Sequence, residues 1–406
     1  MTEPMLRLQK YHDSLVACKI GDIYKERKEH GDDMLPMLTV SIHSGVSDGE
    51  LEEDALGKRV ARSEDKAKYK RAESNDVVFN MMRAWQGAIG VVRTTGMVSP
   101  AYIVATPNDR VYPLFMDYYL KTPHMINTIN RLSYGLMDFR KRLYWDSFIT
   151  IDCLLPSIDE QKDIVRVMES VEEIIACVKE EIRLWEEKKK GVMQKIFSRE
   201  IRFTDQYGQN FPEWMKVKID DIGSFFGGLS GKTKEDFEHG DAFFIPYKNV
   251  YANTFADNNY LIAVDVKKGE KQHAVQYGDI LFTQSSENVE EVGLTSVWLH
   301  KETPFLNSFC MALRPKNLDQ YVPEYMGYVM RSSEIRKQIS SQGQGISRIN
   351  LAASRIKNVE IPIPCKEEQY KISECLIGID SVISLKIEKL NIWEKIRQGL
   401  LQQMFV

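Results

Sequence analysis

The first candidate for chemistry is a glycine-rich segment, residues 227–233, whose sequence GGLSGKT resembles a phosphate-binding loop. Such loops need four residues between the two glycines of GxxxxGK[ST], because their backbone amides wrap around the phosphates. Only three residues separate Gly227 from Gly231, and no strongly apolar strand clearly precedes them. We therefore predict a basic, flexible loop in which Lys232 and Thr233 lie against a nucleic-acid backbone, and not a nucleotide site.

Other residue types that perform catalysis do not form a recognisable constellation. A methyltransferase needs a glycine-rich cofactor loop and an Asn/Asp-Pro-Pro-aromatic motif, which the IPY of residues 245–247 does not supply. A nuclease needs clustered acidic metal ligands with a lysine, and the three glutamates within residues 287–291 have no matching lysine. The histidines are scattered, and the cysteines lack zinc-ligand spacing. We expect no catalytic residue, no metal site and no cofactor.

Side chains suited to nucleic-acid recognition are grouped in several short segments. Arg, Gln and Asn form paired hydrogen bonds with base edges, whereas Lys and backbone amides hold phosphates. Each segment could instead be an ordinary solvated face. Arg348 could also be structural, because Arg140 stands 208 residues earlier and a base-reading residue should differ between the two halves. The candidate DNA-binding residues are Arg83, Trp85, Gln86, Tyr134, Lys141, Arg142, Lys232, Thr233, Lys248, Asn249, Gln342, Gln344, Arg348 and Asn350.

The candidate DNA-binding segments lie in a chain that contains an internal duplication. Residues 160–197 align without a gap to residues 368–405, at an offset of 208. Ten of the 38 positions are identical, where ordinary composition would give roughly two. A repeat at a fixed offset dictates the architecture. The identical pairs are Glu160/Glu368, Gln161/Gln369, Ile164/Ile372, Ile175/Ile383, Glu180/Glu388, Trp185/Trp393, Glu186/Glu394, Gly191/Gly399, Gln194/Gln402 and Phe197/Phe405.

Both copies carry an apolar seam with alternating spacings of four and three residues. A 3.5-residue repeat is the signature of a coiled coil, and about 39 residues make a helix of about 58 Å. Lys189 and Arg397 occupy the same seam position, where a polar residue usually fixes register at some cost in stability. We expect the two helices to pack against each other as an antiparallel pair. The alternative is two amphipathic helices that lie on separate cores.

The rest of the chain forms two globular parts that share a plan. Asp76 and Gly90 recur 203 residues later as Asp279 and Gly293. A second set recurs 208 residues later: Ser133/Ser341, Gly135/Gly343, Arg140/Arg348 and Leu143/Leu351. We expect an α+β (mixed α/β) fold in which two similar globular domains are joined by two long helices with pseudo-twofold symmetry. The predicted boundaries are 1–156 and 200–363 for the globular domains, 157–199 for the central helix and 364–406 for the carboxy-terminal helix.

The composition is that of an ordinary globular protein. A net charge of −4 over 406 residues argues against a nonspecific nucleic-acid coat but permits local basic surfaces. No apolar run reaches the roughly 18 residues that a membrane span needs, and the amino-terminal sequence lacks the apolar core of a signal peptide. The six cysteines are expected to be reduced thiols in a cytoplasmic protein.

Together these motifs resemble a known family. Two diverged globular parts, each followed by a long helix that begins with Pro-x-x-x-Glu-Gln and ends on Gly-x-x-Gln-x-x-Phe, are similar to the specificity subunit of type I restriction–modification enzymes. Residues 80–88, the VSPAY of 98–102 and the FPEW of 211–214 also resemble that family. The family's usual double-proline lead-in to each helix is replaced here by PSID and PCKE. The resemblance covers essentially the whole chain.

The resemblance implies that each globular part is a target-recognition domain for one half of an asymmetric, bipartite double-stranded DNA target, and that the helices set the gap. It also implies that two DNA methyltransferase (modification) subunits dock on the chain, that restriction subunits can join, and that the chain itself is non-catalytic and binds no cofactor. The alternatives are a coiled-coil scaffold without sequence-specific DNA binding and a stand-alone DNA methyltransferase or nuclease. The missing catalytic motifs count against the enzyme.

Overall fold

The computed structural model describes residues 4–32, 34–42, 45–49, 68–135 and 141–405. Arg140, which the duplication pairs with Arg348, lies outside the described residues. The chain divides into two compact units. Unit 1 consists of residues 1–180 and 388–406, and unit 2 consists of residues 181–387. Each long helix therefore contributes one segment to each unit, and the units are described separately.

Unit 1 has short strands and short helices before its long helix. In the described residues its strands are β1 (Val16–Lys19), β2 (Tyr24–Arg27), β3 (Val40–Ser41), β4 (Gly45–Val46), β5 (Lys70–Ala72), β6 (Val77–Asn80), β7 (Ile89–Val91), β8 (Gly96–Val98), β9 (Tyr102–Pro107) and β10 (Asp152–Leu155). Its helices are α1 (Ile20–Ile23), α2 (Pro113–Tyr119), α3 (Pro123–Leu132), α4 (Trp145–Phe148) and the first part of α5 (Ile158–Phe197).

The core of unit 1 is a four-stranded antiparallel sheet with the order β2-β9-β6-β7. Its central strand β6, with the sequence VVFN, is buried along its whole length, as expected for an apolar run between two neighbours. Val77 pairs with Ala105 on one side and Val91 on the other. Phe115 of α2 and Ile129 of α3 join Val77 in one buried cluster, so the two helices cover this sheet.

Unit 2 follows the same order of elements. Its strands are β11 (Met215–Lys218), β12 (Gly223–Gly227), β13 (Phe237–Ile245), β14 (Ile262–Val264), β15 (Ile280–Thr283), β16 (Ser285–Ser286), β17 (Thr295–Val297), β18 (Phe305–Leu306), β19 (Cys310–Pro315), β20 (Ile349–Asn350) and β21 (Glu360–Ile363). Its helices are α6 (Ile219–Ile222), α7 (Tyr247–Ala252), α8 (Pro323–Val329), α9 (Ser333–Ser340), α10 (Ala353–Ile356) and the first part of α11 (Lys366–Met404), together with the end of α5.

The central sheet of unit 2 has the order β12-β19-β15-β17, which matches the sheet of unit 1 strand for strand. The predicted repetition of the mixed α/β plan is therefore confirmed. One predicted equivalence is wrong: Gly90 lies in β7, whereas Gly293 lies in a loop before β17, with a φ of +69°. The residue that occupies the place of Gly90 is Ser296, because the loop before β17 is three residues longer than its counterpart.

The repeated aspartates Asp76 and Asp279 stabilise the turn that leads into the central strand of each sheet. In unit 1 the Asp76 carboxylate accepts a hydrogen bond of 2.9 Å from the Glu73 amide and pairs with Arg27 at 2.7 Å. In unit 2 Asp279 accepts one of 2.7 Å from the Gln276 amide and pairs with Arg314 at 2.6 Å. Both aspartates are buried, so each arginine supplies the compensating charge that burial requires.

The Glu-Gln pair at the start of each long helix has a structural explanation. Gln161 is buried, accepts a hydrogen bond from the Tyr112 amide and donates to the carbonyls of Arg110 and Pro156. Gln369 forms the same set, accepting from the Val322 amide and donating to the carbonyls of Gln320 and Pro364. These bonds join the start of each long helix to the loop before α2 or α8.

The preceding glutamates are also buried, and each faces an arginine that the duplication did not reveal. Arg7 binds Glu160 at 2.6 Å. Arg202 binds Glu368 at 3.0 Å, and the indole of Trp214, from the FPEW sequence, donates to the same carboxylate at 2.8 Å. The FPEW sequence therefore completes a buried charge cluster.

In unit 1 the end of α11 packs beside the start of α5. Arg397 pairs with Glu172 at 3.0 Å, and Glu394 pairs with Lys179 at 3.0 Å. The residue number rises along α5 as it falls along α11, so the two segments are antiparallel. Phe405, just beyond α11, packs on Phe115 of α2 with 5.1 Å between ring centroids.

In unit 2 the end of α5 packs beside the start of α11 in the same antiparallel sense. Lys386 pairs with Glu181 at 2.8 Å, and Lys189 pairs with Asp380 at 2.6 Å. All the seam positions in both helices are buried or half-buried. The predicted antiparallel pair is confirmed. The charged residues predicted at the matching seam positions, Lys189 and Arg397, each form an ion pair with the opposite helix.

None of the helices that the structure describes combines the length and the apolar character needed to cross a membrane.

Candidate nucleic-acid interface

A tight turn in unit 1 presents Arg83 and Gln86 to solvent. The Arg83 amide donates to the Asn80 carbonyl at 2.9 Å, and the chain reverses at Gly87, whose φ is +102°. A left-handed φ of this kind favours glycine. Trp85 is half-buried and donates its indole N–H to the Met82 carbonyl at 3.0 Å. Trp85 therefore anchors the turn, while Arg83 and Gln86 are exposed.

A second loop of unit 1 lies against this turn. Tyr134 and Arg142 exchange two backbone hydrogen bonds of 3.0 and 3.1 Å, and Tyr134, which is 58% exposed, stacks on Tyr144 with 4.9 Å between ring centroids. The Leu143 amide then donates to the Met81 carbonyl at 2.8 Å. The structure thus brings the two predicted segments of unit 1 together and leaves the side chains of Tyr134 and Arg142 exposed.

Lys141 precedes Arg142 in this loop and is half-buried. Its position therefore offers less surface for a nucleic acid than that of Arg142.

The corresponding loop of unit 2 is anchored in the same way. Gln344 and Asn350 exchange backbone hydrogen bonds of 2.8 and 3.0 Å, and the Leu351 amide donates to the Gln284 carbonyl at 2.8 Å. Leu351 and Gln284 stand 208 and 203 residues after Leu143 and Met81, so one scaffold bond is present in both units. Asn350 also pairs with Ser285 between β20 and β16.

The exposed side chains on this unit 2 loop differ from those of unit 1. Gln344, Arg348 and Asn350 are exposed, and Gln342 is half-buried. The Arg348 guanidinium lies over the ring of Phe309, 5.5 Å from its centroid. Phe309 is 51% exposed. It was not singled out from the sequence, where an apolar residue between Ser308 and Cys310 carries no surface signal.

Three predicted residues of unit 2 have side chains that bond to other residues of the same unit. The side chain of Lys232 is only 4% exposed and pairs with Glu270 at 2.6 Å. Thr233 caps a short helical turn by bonding Asp236 through its amide at 2.7 Å and its hydroxyl at 2.9 Å. The Lys232 ammonium is therefore held within unit 2, whereas Thr233 and the neighbouring Ser230 and Gly231 remain exposed. A DNA contact by this segment stays a prediction.

Asn249 is fully buried, and both ends of its amide are satisfied. It donates to the carbonyls of Asp257 and Tyr260 at 2.8 and 2.9 Å and accepts from the Asp257 amide at 2.8 Å. It therefore organises the loop after α7. Its neighbour Lys248 is exposed on the same short helix.

Two half-buried arginines bond several loop carbonyls of unit 2. Arg331 donates to the carbonyls of Thr295 and Val250 at 2.5 and 3.1 Å. Arg336 of α9 donates to the carbonyls of Val292 and Gly293, in the loop before β17. Burial disfavours the charged form and lowers the pKa of each guanidinium to about 10. Both therefore remain cations at neutral pH.

Within the described residues, no group of three or more His, Cys, Asp or Glu side chains is placed to hold a metal ion.

Comparisons with known proteins agree with this architecture. Residues 212–397 match the family model described as "Type I restriction modification DNA specificity domain". The type I restriction enzyme MjaVIII specificity subunit of Methanocaldococcus jannaschii is 20% identical over 351 residues, which span 82% of this chain and 81% of that protein.

Solved structures show the same fold over the whole chain. The crystal structure of the type I restriction–modification S subunit from M. genitalium matches with a TM-score of 0.53 at 13% identity, covering 100% of this chain and 99% of that one. The HsdS subunit from Thermoanaerobacter tengcongensis matches with a TM-score of 0.51 at 18% identity, covering 97% and 96%.

The fold over the whole chain and the matched region 212–397 are similar to those of type I restriction–modification specificity proteins. These matches support the predicted resemblance to the specificity subunits of such systems. That family is the non-catalytic DNA-recognition component of type I restriction–modification systems. Such subunits bind DNA and assemble with methyltransferase and restriction subunits. The comparisons give no support to a stand-alone methyltransferase or nuclease, or to a scaffold without DNA specificity.

Proposed function

We propose that this chain recognises its bipartite DNA target through the two anchored loop surfaces, one in each unit. The observation that carries the proposal is the shared bond from Leu143 to Met81 and from Leu351 to Gln284, which holds equivalent loops in both units. The side chains on those loops differ. A common scaffold with different exposed side chains is what two different half-sites require.

The residues proposed to contact DNA follow from exposure and chemistry. Arg83, Arg142 and Arg348 can donate paired hydrogen bonds to guanine, and the exposed amides can pair with adenine. Lys248 suits a phosphate contact. Lys232, Thr233 and Asn249 are left out of the proposed surface because their side chains are engaged within unit 2. The full proposed set is Arg83, Gln86, Tyr134, Lys141, Arg142, Lys248, Gln342, Gln344, Arg348 and Asn350, with Trp85 as the anchor of its turn.

The assembly is proposed to contain two methyltransferase subunits for each chain. The support is the duplication: the helix start and the seam ion pair occur once in each unit, so any docking surface built on them is present twice. The exposed glutamates of both helices are proposed as part of that surface. We further propose that the protein works in the cytoplasm, where its cysteines, free in the described structure, remain reduced.

The first experiment is methylome sequencing of cells that carry this chain with its methyltransferase subunit. The proposal predicts one asymmetric motif with two specified parts and an unspecified gap. The matched control is the methyltransferase without this chain. A methylation pattern that is the same with and without the chain would contradict the proposal.

The second experiment separates the two halves. Residues 200–363 are exchanged for the equivalent domain of a relative with a known target, with the boundaries taken from the sequence prediction. Only one half of the methylated motif should change, and the reciprocal exchange of residues 1–156 should change only the other. A change in both halves after either exchange would contradict the assignment of one half-site to each domain.

A further inference from the structure

An apolar side chain projects from the proposed DNA surface of unit 2. Ile346 is 105% exposed, which makes it the most exposed large apolar residue in the described part of the chain. Single exposed apolar residues are common on protein surfaces, so exposure alone assigns nothing. The geometry around Ile346 and the chemistry of its neighbours carry the inference.

The loop that presents Ile346 is well anchored. Its base is closed by the backbone bonds between Gln344 and Asn350, and Ile349 points inward and is buried. Gly345 has a φ of +135°, and a Cβ there would lie 1.9 Å from the Arg348 carbonyl oxygen, so only glycine permits this turn. Because the loop is already held in this conformation, little conformational entropy is lost when Ile346 binds a partner.

The neighbours of Ile346 suit an anionic polymer that also offers an apolar spot. Arg348 stands two residues away and lies over the half-exposed ring of Phe309. Gln344 and Asn350 flank the turn with exposed amides. The segment 342–352 contains no acidic residue. The amides of Gln344 and Asn350 and the guanidinium of Arg348 can form hydrogen bonds beside the aliphatic side chain of Ile346. This combination suits a base-pair edge that carries both hydrogen-bonding atoms and a methyl group.

In the major groove of DNA that apolar group is the 5-methyl of thymine, which is read by apolar contact. We propose that Ile346 contacts the 5-methyl group of a thymine in the half-site bound by unit 2, and so selects a T·A pair there. This inference rests on the proposed function. It adds a specificity-determining residue that the sequence did not single out.

The test removes only the methyl group from the DNA. The full chain, with its methyltransferase subunits, is bound to the target duplex found by methylome sequencing. Each thymine of the unit 2 half-site is replaced in turn by deoxyuridine. One replacement should weaken binding about three- to fivefold, the effect of one methyl group leaving an apolar contact. In the other half-site, replacing thymine by deoxyuridine should change the affinity of the wild type and of Ile346→Ala by the same factor.

The Ile346→Ala variant should bind the thymine target about three- to fivefold more weakly and should no longer distinguish thymine from uracil at that position. Ile346→Val should keep most of the discrimination. Tyr207→Ala removes another exposed side chain of unit 2, 78% exposed, and should leave the discrimination unchanged. Thermal melts of each variant exclude a loss of folding.

Three results would overturn the inference while leaving the proposed function intact. They are a unit 2 half-site without any T·A pair, equal affinity for every thymine and uracil duplex, or an Ile346→Ala variant that weakens both duplexes equally. The last would indicate contact with the sugar-phosphate backbone or insertion between bases. A chain that selects no bipartite target would overturn the proposed function itself.

Discussion

At the scale of single residues, Arg83 offers a direct test of the unit 1 surface, because its backbone is fixed by the turn while its side chain is exposed. Arg83→Ala should lower affinity for the cognate target about five- to 150-fold and relax base preference in one half-site only, since a paired arginine contact contributes about 1–3 kcal/mol. Methylome sequencing and competition binding measure both effects. Arg166→Ala, on an exposed arginine of α5, is the control. Equal weakening across all sequences would indicate a phosphate contact.

Glu368 gives a stability prediction at the same scale. Its carboxylate is buried and receives both Arg202 and the indole of Trp214. Glu368→Ala leaves the Arg202 charge without its buried partner and should destabilise unit 2 by about 3 kcal/mol. Denaturant unfolding followed by tryptophan fluorescence would detect the shift. Glu367→Ala, on the exposed neighbour, should change the midpoint little, and equal effects of the two substitutions would be evidence against the buried cluster.

The sequence could not distinguish surface residues from structural ones at this scale. Lys232 looked like a phosphate contact because its partner, Glu270, is 38 residues away and no local pattern joins them. Asn249 looked like a base reader, but its amide closes a loop with the carbonyls of Asp257 and Tyr260. In contrast, Arg83 and Gln86, which were predicted to contact DNA, are exposed on a turn that reverses at Gly87, and their DNA contact stays a prediction.

At the scale of elements, the ion pairs across the seam allow the alignment of α5 against α11 to be tested. Lys189 and Asp380 face each other with side chains 21% and 31% exposed, and Tyr328 donates its hydroxyl to the same carboxylate at 2.7 Å. Lys189→Glu should cost about 1 kcal/mol of unfolding free energy through like-charge contact, and adding Asp380→Lys should restore most of it. Thermal unfolding measures both. Arg183→Glu, in an exposed pair within α5, should have a smaller effect. Failure of the double variant to recover would argue against pairing across the seam.

The helices were the most predictable elements. A duplicated 3.5-residue pattern predicted their extent to within a few residues, because period and length are properties of the sequence itself. What escaped prediction was the partner of each seam charge. Glu172 and Asp380 lie at equivalent positions but differ in type, so a search for identical residues passes over them. Another tertiary detail without a local signal is the position of Ile126 of α3, whose Cδ1 would lie 3.6 Å from a Cβ added at Gly87.

At the scale of the whole molecule, the helix pair is expected to set the gap in the target. Removing residues 178–184 and 385–391 deletes one heptad from matching stretches of the antiparallel pair. A heptad is about 10.5 Å long, which corresponds to about three base pairs of DNA. The methylated motif should keep both specified parts and lose about three base pairs from its gap. Deleting only one of the two stretches breaks the register and should abolish methylation. An unchanged gap after the paired deletion would show that the length of the helices does not set the number of unspecified base pairs.

The packing of Met404 and Phe405 into the core of unit 1 joins a later-made part of the chain to an earlier-made one. During synthesis, residues 4–180 leave the ribosome long before residues 388–405 exist, so the amino-terminal core stays unsealed until nearly all of unit 2 has been made. A premature stop codon anywhere in unit 2 would then leave a fragment with exposed apolar surface, suited to removal by proteases. We expect such a fragment to be degraded before it can bind one half-site alone and direct methylation to additional places.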